Sequence, residues 1–150
     1  MSRIDKLYES MILEHNKNPR NFKKISPCSC QAQGVNSLCG DEYAVFLNLD
    51  KENVIRDIGF TGSGCAISKS SASLMTEMVL NHPSSYALKL ADTFINMLLS
   101  NDYQKETLGK LLVFENVKNF PVRVKCATLI WRALQQALSL NPIGQIVSTE

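Results

Sequence analysis

Long apolar runs are missing from this sequence of 150 residues, and so is any surplus of charge. No stretch approaches the roughly 20 consecutive apolar residues of a membrane span. The segment from Met1 to Glu14 interleaves charges with isolated apolar residues, where a signal peptide needs a continuous apolar core. The 16 Lys and Arg against 14 Asp and Glu leave a formal +2, scattered along the chain, which excludes the basic stripe that tracks a phosphate backbone. Neither nucleic acid nor a membrane is an expected partner, and a cytoplasmic location is expected. Cysteines number 5, an odd count in a chain expected in a reducing compartment. That disfavours a disulfide framework and favours thiolate chemistry or metal binding. Histidine is scarcer, at 2, and neither is placed as a ligand. His15 falls at a helix end, where it would meet terminal carbonyls, and His82 precedes Pro83 in a turn. No internal repeat is visible.

What is present is 45% apolar residues, enough for one compact core. A single domain is expected over residues 1–140, with a flexible tail over 141–150. Ile4, Leu7, Tyr8, Met11 and Ile12 recur at helical spacing until Asn18-Pro19 ends the pattern. Residues 22–38 read as loop, with an edge strand at Gln31 to Val35. Tyr43 to Leu49 and Val54 to Phe60 form a hairpin around the polar Asp50-Lys51-Glu52-Asn53. Helices are expected over Ala66 to Leu80, Ser84 to Leu99 and about Val122 to Leu140, where Asn141-Pro142 ends the last, while 102–120 is less regular. Trp131 and Met75 are assigned to the core. Strands first and helices afterwards make an α+β domain: a small antiparallel sheet of about three strands with helices packed on one face.

Three cysteines stand where a thiolate would be useful. Cys39 precedes Gly40-Asp41 just before the hairpin, Cys65 follows Gly62-Ser63-Gly64 at the start of a helix, and Cys126 stands at the start of the last helix. A helix N-terminus offers unpaired N–H groups and partial positive charge, which favour the ionised ligand form at Cys65 and Cys126. The separations are long, 65 − 39 = 26 and 126 − 65 = 61 residues, so there is no local zinc-finger signature. Read singly, each cysteine is better taken as an ordinary buried thiol and Asp41 as a turn acceptor, and their interest comes from their company. Cys28 and Cys30 form a Cys-Ser-Cys pair that reads as incidental loop cysteines or as a soft-metal or redox pair. Arg123 and Lys125 are either solvated helix-start charges or electrostatic support for Cys126.

Taken together, the blocks Ile12-Leu13-Glu14-His15-Asn16-Lys17-Asn18-Pro19-Arg20-Asn21, Cys39-Gly40-Asp41, Gly62-Ser63-Gly64-Cys65-Ala66-Ile67-Ser68 and Phe120-Pro121-Val122-Arg123-Val124-Lys125-Cys126-Ala127-Thr128-Leu129 resemble the scaffold family of iron–sulfur cluster assembly. The resemblance is to the IscU/NifU N-terminal type and its SufU-like branch, with an IscU/SufE-like fold, and it covers about Ile4 to Leu138. It implies that Cys39, Asp41, Cys65 and Cys126 share one metal. Lys125 stands where the IscU branch places a histidine, and an ammonium group is a poor ligand, so zinc is expected rather than iron or a transient Fe–S cluster. The implied role is that of a sulfurtransferase-type accessory protein rather than a stand-alone enzyme. Cys39 accepts persulfide sulfur from a SufS-like cysteine desulfurase and is the ligand expected to leave, and downstream Fe–S assembly or acceptor proteins follow. Arg123 supports Asp41 or the transferred sulfur. A scaffold that builds a cluster on the same residues and a structural zinc interaction module are the alternatives. The family pattern of Asn-Pro and one further residue before the first cysteine reads Asn36-Ser37-Leu38 here.

Overall fold

A computed structural model of the chain describes residues 3–139 and 146–149. Helix α1 (Arg3–Lys17) leads into a long loop and three strands, β1 (Cys30–Asn36), β2 (Asp41–Leu49) and β3 (Ile55–Ser63). Helices α2 (Ala66–Val79), α3 (Ser84–Leu98) and α4 (Pro121–Leu138) follow, and a short strand β4 (Ile146–Ser148) closes the order.

The sheet runs β3-β2-β1-β4. β1 pairs antiparallel with β2, and β2 with β3, which is the three-stranded antiparallel sheet expected. β4 adds a fourth strand, parallel to β1 through Gln33, Gly34 and Val35. Two expectations change with it. β1 is an interior strand and extends one residue beyond Gln31–Val35 at each end, and the tail expected over 141–150 carries a strand at Ile146–Ser148. Ile146 and Val147 are β-branched residues of high strand propensity, and an unpaired β1 edge is the template they add to. The rest of that tail, residues 141–145 and 150, lies outside the described residues.

One face of β2 carries the core alternation: Asp41, Tyr43, Val45 and Leu47 are all buried. The helices cover that face, α4 lying on β1 and β2 and packing in turn against α2 and α3. The approach of α4 to β1 is close enough to demand glycine. A Cβ on Gly34 would stand 2.9 Å from Leu129 Cδ1. Trp131 and Met75 are fully buried as expected. Trp131 stacks on Phe94 at 5.0 Å and its Nε1–H donates to Ser71 Oγ at 3.1 Å, which ties α4 to α2.

The irregular stretch before α4 is 3-10 helical at Lys105–Thr107 and Gly109–Asn119. Its apolar residues explain the geometry. Leu108, Leu111, Phe114 and Val117 recur every third residue and are buried, the repeat of a helix with three residues per turn. A search for 3.6-residue periodicity passes over such a pattern.

Candidate metal centre

Cys39, Asp41 and Cys126 meet at one end of the sheet. Their ligand atoms lie within 4.8 Å of one another, close enough for one cation to bridge them. Cys39 is placed by the β1–β2 turn, in which its N–H donates to Asn36 O at 3.3 Å and the Gly40 N–H to Ser37 O at 3.3 Å. Asp41 is the first residue of β2, directly across from Asn36, and is 1% exposed. Cys126 comes from α4 and is 3% exposed.

Cys65 stands beside this group rather than within its 4.8 Å limit. It is the N-cap of α2, as the glycine turn before it suggested, and its Sγ accepts the Ser68 N–H at 3.4 Å. Its backbone N–H donates to Asp41 Oδ1 at 3.0 Å, so Cys65 helps to hold the carboxylate. The Ser68 hydroxyl reaches the same Oδ1 at 3.0 Å and the Cys65 carbonyl at 3.0 Å. With that proton shared between two acceptors, the Tyr43 hydroxyl, 3.0 Å from Ser68 Oγ, is the donor to it. Tyr43 is suited to that role: burial pushes its hydroxyl up to about 12, and Asp41, Cys65 and Cys126 add to the rise. It stays protonated throughout the neutral range.

Asp41 is thus oriented through one oxygen only. Oδ2 is buried and has no hydrogen-bond partner among the described residues. A buried, unpaired carboxylate oxygen costs several kcal/mol unless something positive meets it. Burial pushes the Cys126 thiol well up, and its contacts with Cys39 and Asp41 and the nearby Cys65 push it further. The helix-start advantage expected for Cys126 is absent. α4 begins at Pro121, so Cys126 lies in its second turn, past the reach of the unpaired N–H groups. A soft divalent cation answers both features: it supplies a partner for Oδ2 and stabilises the sulfurs as thiolates. Two sulfurs and one carboxylate, with Cys65 adjoining, form a donor set that zinc accepts.

The family follows from the whole chain. The NifU-like N-terminal domain matches residues 7–139. The chain belongs to this family. It is 35% identical over 142 residues to the zinc-dependent sulfurtransferase SufU of Bacillus subtilis (strain 168), which covers 94% of this chain and 95% of the relative. The iron–sulfur cluster assembly scaffold protein IscU of Streptococcus pyogenes serotype M1 is 37% identical over 147 residues, 97% of this chain and 91% of the relative. Among solved structures, a candidate iron–sulfur cluster assembly scaffold protein of the SUF system from Fervidobacterium islandicum AW-1 superposes with a TM-score of 0.84 at 34% identity, covering 89% of this chain and 98% of that one. The resemblance to the iron–sulfur scaffold family and the α+β fold both hold.

In this NifU-like domain the remaining predicted residues fall outside the cluster. Arg123 is exposed on the rim, its guanidinium 4.7 Å from the Phe120 ring, and Asp41 Oδ1 is held by Cys65 and Ser68 instead. Cys28 and Cys30 lie toward the far end of β1: Cys30 pairs with Leu47, whereas Asn36 pairs with Asp41. The Cys28 thiol donates to Gln31 Oε1, and neither cysteine joins a metal-ligand group among the described residues. His15 is buried rather than at solvent-facing carbonyls. Its Nδ1 is 2.7 Å from Ser73 Oγ and its Nε2 is 3.5 Å from Glu77. Ser68 and Tyr43, which adjoin the site, were not singled out from sequence, and Asn36 entered only as part of the family pattern before Cys39. The Ser68 signal was available: a serine three residues after an N-cap lies over the first turn of the helix.

The centre opens onto a groove of about 590 Å3 between α1, the start of α2 and the start of α4. Ile12, Leu13, Ile67, Val117, Phe120 and Val122 give it apolar walls, and Cys39, Cys65 and Cys126 line it. Among the described residues no helix is long and apolar enough to cross a membrane.

Proposed function

We propose that the protein is a zinc-bound sulfur acceptor of iron–sulfur cluster assembly, with Cys39 taking persulfide sulfur from a cysteine desulfurase. The observation that carries this reading is the convergence of Cys39, Asp41 and Cys126, with one carboxylate oxygen of Asp41 left unpartnered, at the end of an apolar groove. Cys39, Asp41 and Cys126 together with Cys65 would hold the zinc, whose charge would keep these thiols ionised.

The chain's own residues divide the work by exposure. Cys126 is too buried to meet a partner's cysteine, and Cys65 is tied into the α2 cap through Ser68. Cys39 is half-buried, as Cys65 is, but it lies on a turn flanked by Leu38 at 76% and Val122 at 63% exposure and is not part of a helix cap, so we assign it as the sulfur that a docked protein reaches. The Cys39 thiolate attacks the outer sulfur of a persulfide on the desulfurase. One S–S bond forms on Cys39, the old one breaks, and the partner's cysteine leaves as a thiolate that takes up a proton. Asp41 stays fixed by Cys65 and Ser68 throughout, which keeps the remaining ligands in register. Downstream assembly or acceptor proteins receive the sulfur.

A desulfurase turnover assay with Cys39→Ala tests the role. Stimulation of the desulfurase is lost in the variant, and mass spectrometry of the parent finds one added sulfur atom on the Cys39 peptide. Undiminished stimulation with zinc retained refutes the acceptor role, and a cluster chromophore that survives desalting after anaerobic reconstitution replaces it with a scaffold.

A further inference from the structure

Asn36 ends β1 directly opposite Asp41, is fully buried, and has neither side-chain atom hydrogen-bonded among the described residues. An asparagine at the start of a turn ordinarily folds its side-chain oxygen onto the backbone N–H two residues ahead. Here the backbone closes the turn, Cys39 N–H to Asn36 O and Gly40 N–H to Ser37 O, and the Asn36 carboxamide is left over. As a register pair on antiparallel strands, Asn36 and Asp41 point to the same face of the sheet. Asn36 also lines, with Cys39 and Lys125, a separate cavity of about 300 Å3 beside the centre. Two unpaired buried polar groups, the carboxamide and Asp41 Oδ2, therefore belong to one cross-strand pair, of which Asp41 is a member of the converging ligand group.

The donors that Cys65 and Ser68 bring to the site are committed. Cys65 N–H and the Ser68 hydroxyl serve Asp41 Oδ1, and Ser68 N–H serves Cys65 Sγ. The sulfurs of Cys39 and Cys126 have no N–H donor among the described residues, although they bear the charge of a loaded centre. Thiolates bound to a metal in a buried place are oriented and stabilised by N–H groups from the surrounding shell. Asn36, three residues before Cys39 in the same turn, carries a fully buried N–H group with no partner among the described residues, whereas Arg123 and Lys125, which also border these cavities, are exposed to water.

We propose that Asn36 is a positioning residue of the cysteine centre, its carboxamide N–H donating to the Cys39 sulfur when the centre is loaded. The inference rests on the zinc-centre reading above. Its effect is to fix the one ligand that sits on a turn and to lower the electron density on that sulfur, without contact to the metal. The same carboxamide turned the other way would present its oxygen to the metal as a ligand, and the two roles respond oppositely to Asn36→Asp, which keeps the shape and exchanges the donor for an acceptor.

Cobalt(II) titration of the purified chain, read by its thiolate-to-cobalt charge-transfer band and by competition with a chelator, tests this. The parent shows the band. Asn36→Leu and Asn36→Asp each bind cobalt about tenfold or more weakly, with the band moved to longer wavelength because the unassisted thiolate gives up charge more easily. Should Asn36→Leu fail to fold by circular dichroism, Asn36→Asp carries the comparison. Parent affinity and an unmoved band in the folded variants overturn the role of Asn36 alone. Tighter binding by Asn36→Asp overturns it in favour of direct ligation. A parent without the band brings down the metal-centre reading and this inference together.

Discussion

Replacing Gly64 by alanine disrupts the centre without touching a ligand. The added Cβ would stand 2.4 Å from Asp41 Oδ1, 2.6 Å from Ser68 Oγ and 2.8 Å from Tyr43 Oη, each inside ordinary contact distance. Gly64 is not in the left-handed region, so its own backbone accepts alanine and the whole cost is steric. The clash is relieved only if Asp41 and Ser68 move apart, which breaks the 3.0 Å bond that Oδ1 accepts from Ser68 Oγ. Overpacking costs about 1–3 kcal/mol, and a lost hydrogen bond to a carboxylate about 1.5 kcal/mol. Together they come to about 3 kcal/mol, which in a chain of this size lowers Tm by about 6–12 °C. The assay is thermal denaturation by circular dichroism in the presence of a chelator, with zinc content measured on a parallel sample without one. The variant melts earlier and holds less zinc. A melting curve that overlays the parent's, with zinc unchanged, refutes the account of how Asp41 is held.

Three further predictions concern separate parts of the molecule. Asp41→Ala removes the carboxylate with the unpartnered Oδ2, and metal analysis after desalting finds little zinc; parental zinc content refutes its place in the centre. Ser71→Ala deletes the hydroxyl that donates to Ala127 O and accepts from Trp131 Nε1–H, leaving a buried indole N–H unpaired. Stability falls by about 2–3 kcal/mol, read by urea denaturation followed through the fluorescence of Trp131, and a midpoint unchanged from the parent contradicts it. His15 is held below its ordinary pKa of 6.5 by burial first and by Arg20 and Lys110, with Glu77 and Glu14 pulling back. The unfolded chain therefore binds that proton more readily, so this contribution to stability is complete above pH 6.5 and is lost as pH falls from there toward the folded value. Urea midpoints at about pH 7.5 and about pH 5.5 show the decline, and a His15→Gln variant with the same slope refutes the assignment.

The helices and the hairpin were legible because each buries one face through a local period. The pattern of Ile4, Leu7, Tyr8 and Met11 is compatible only with a helix, and α1 spans it. The 3-10 stretch was harder to read because its burial repeats at every third residue, and β4 because three residues carry too little pattern to announce a strand. At the site, the glycine turn before Cys65 marked an N-cap, and the structure has one there. The location of Cys126 in the second turn was lost to a boundary error of one residue at Pro121 combined with reading the sixth residue of a helix as its start.

By itself the sequence determined the α+β class, most of the helices and strands, and, through four blocks of residues, the family. These depend on neighbours a few positions apart and on motifs that survive as written. Only the tertiary structure decided that Cys39, Asp41 and Cys126 share a space while Cys65 stands beside them as the cap that orients Asp41. It also showed which polar atoms are left unpaired. Convergence of residues separated by 26 and 61 positions is a property of strand register and helix packing: Asp41 faces Asn36 because β1 and β2 pair in that register, and Cys126 reaches them because Gly34 lets α4 lie close on the sheet.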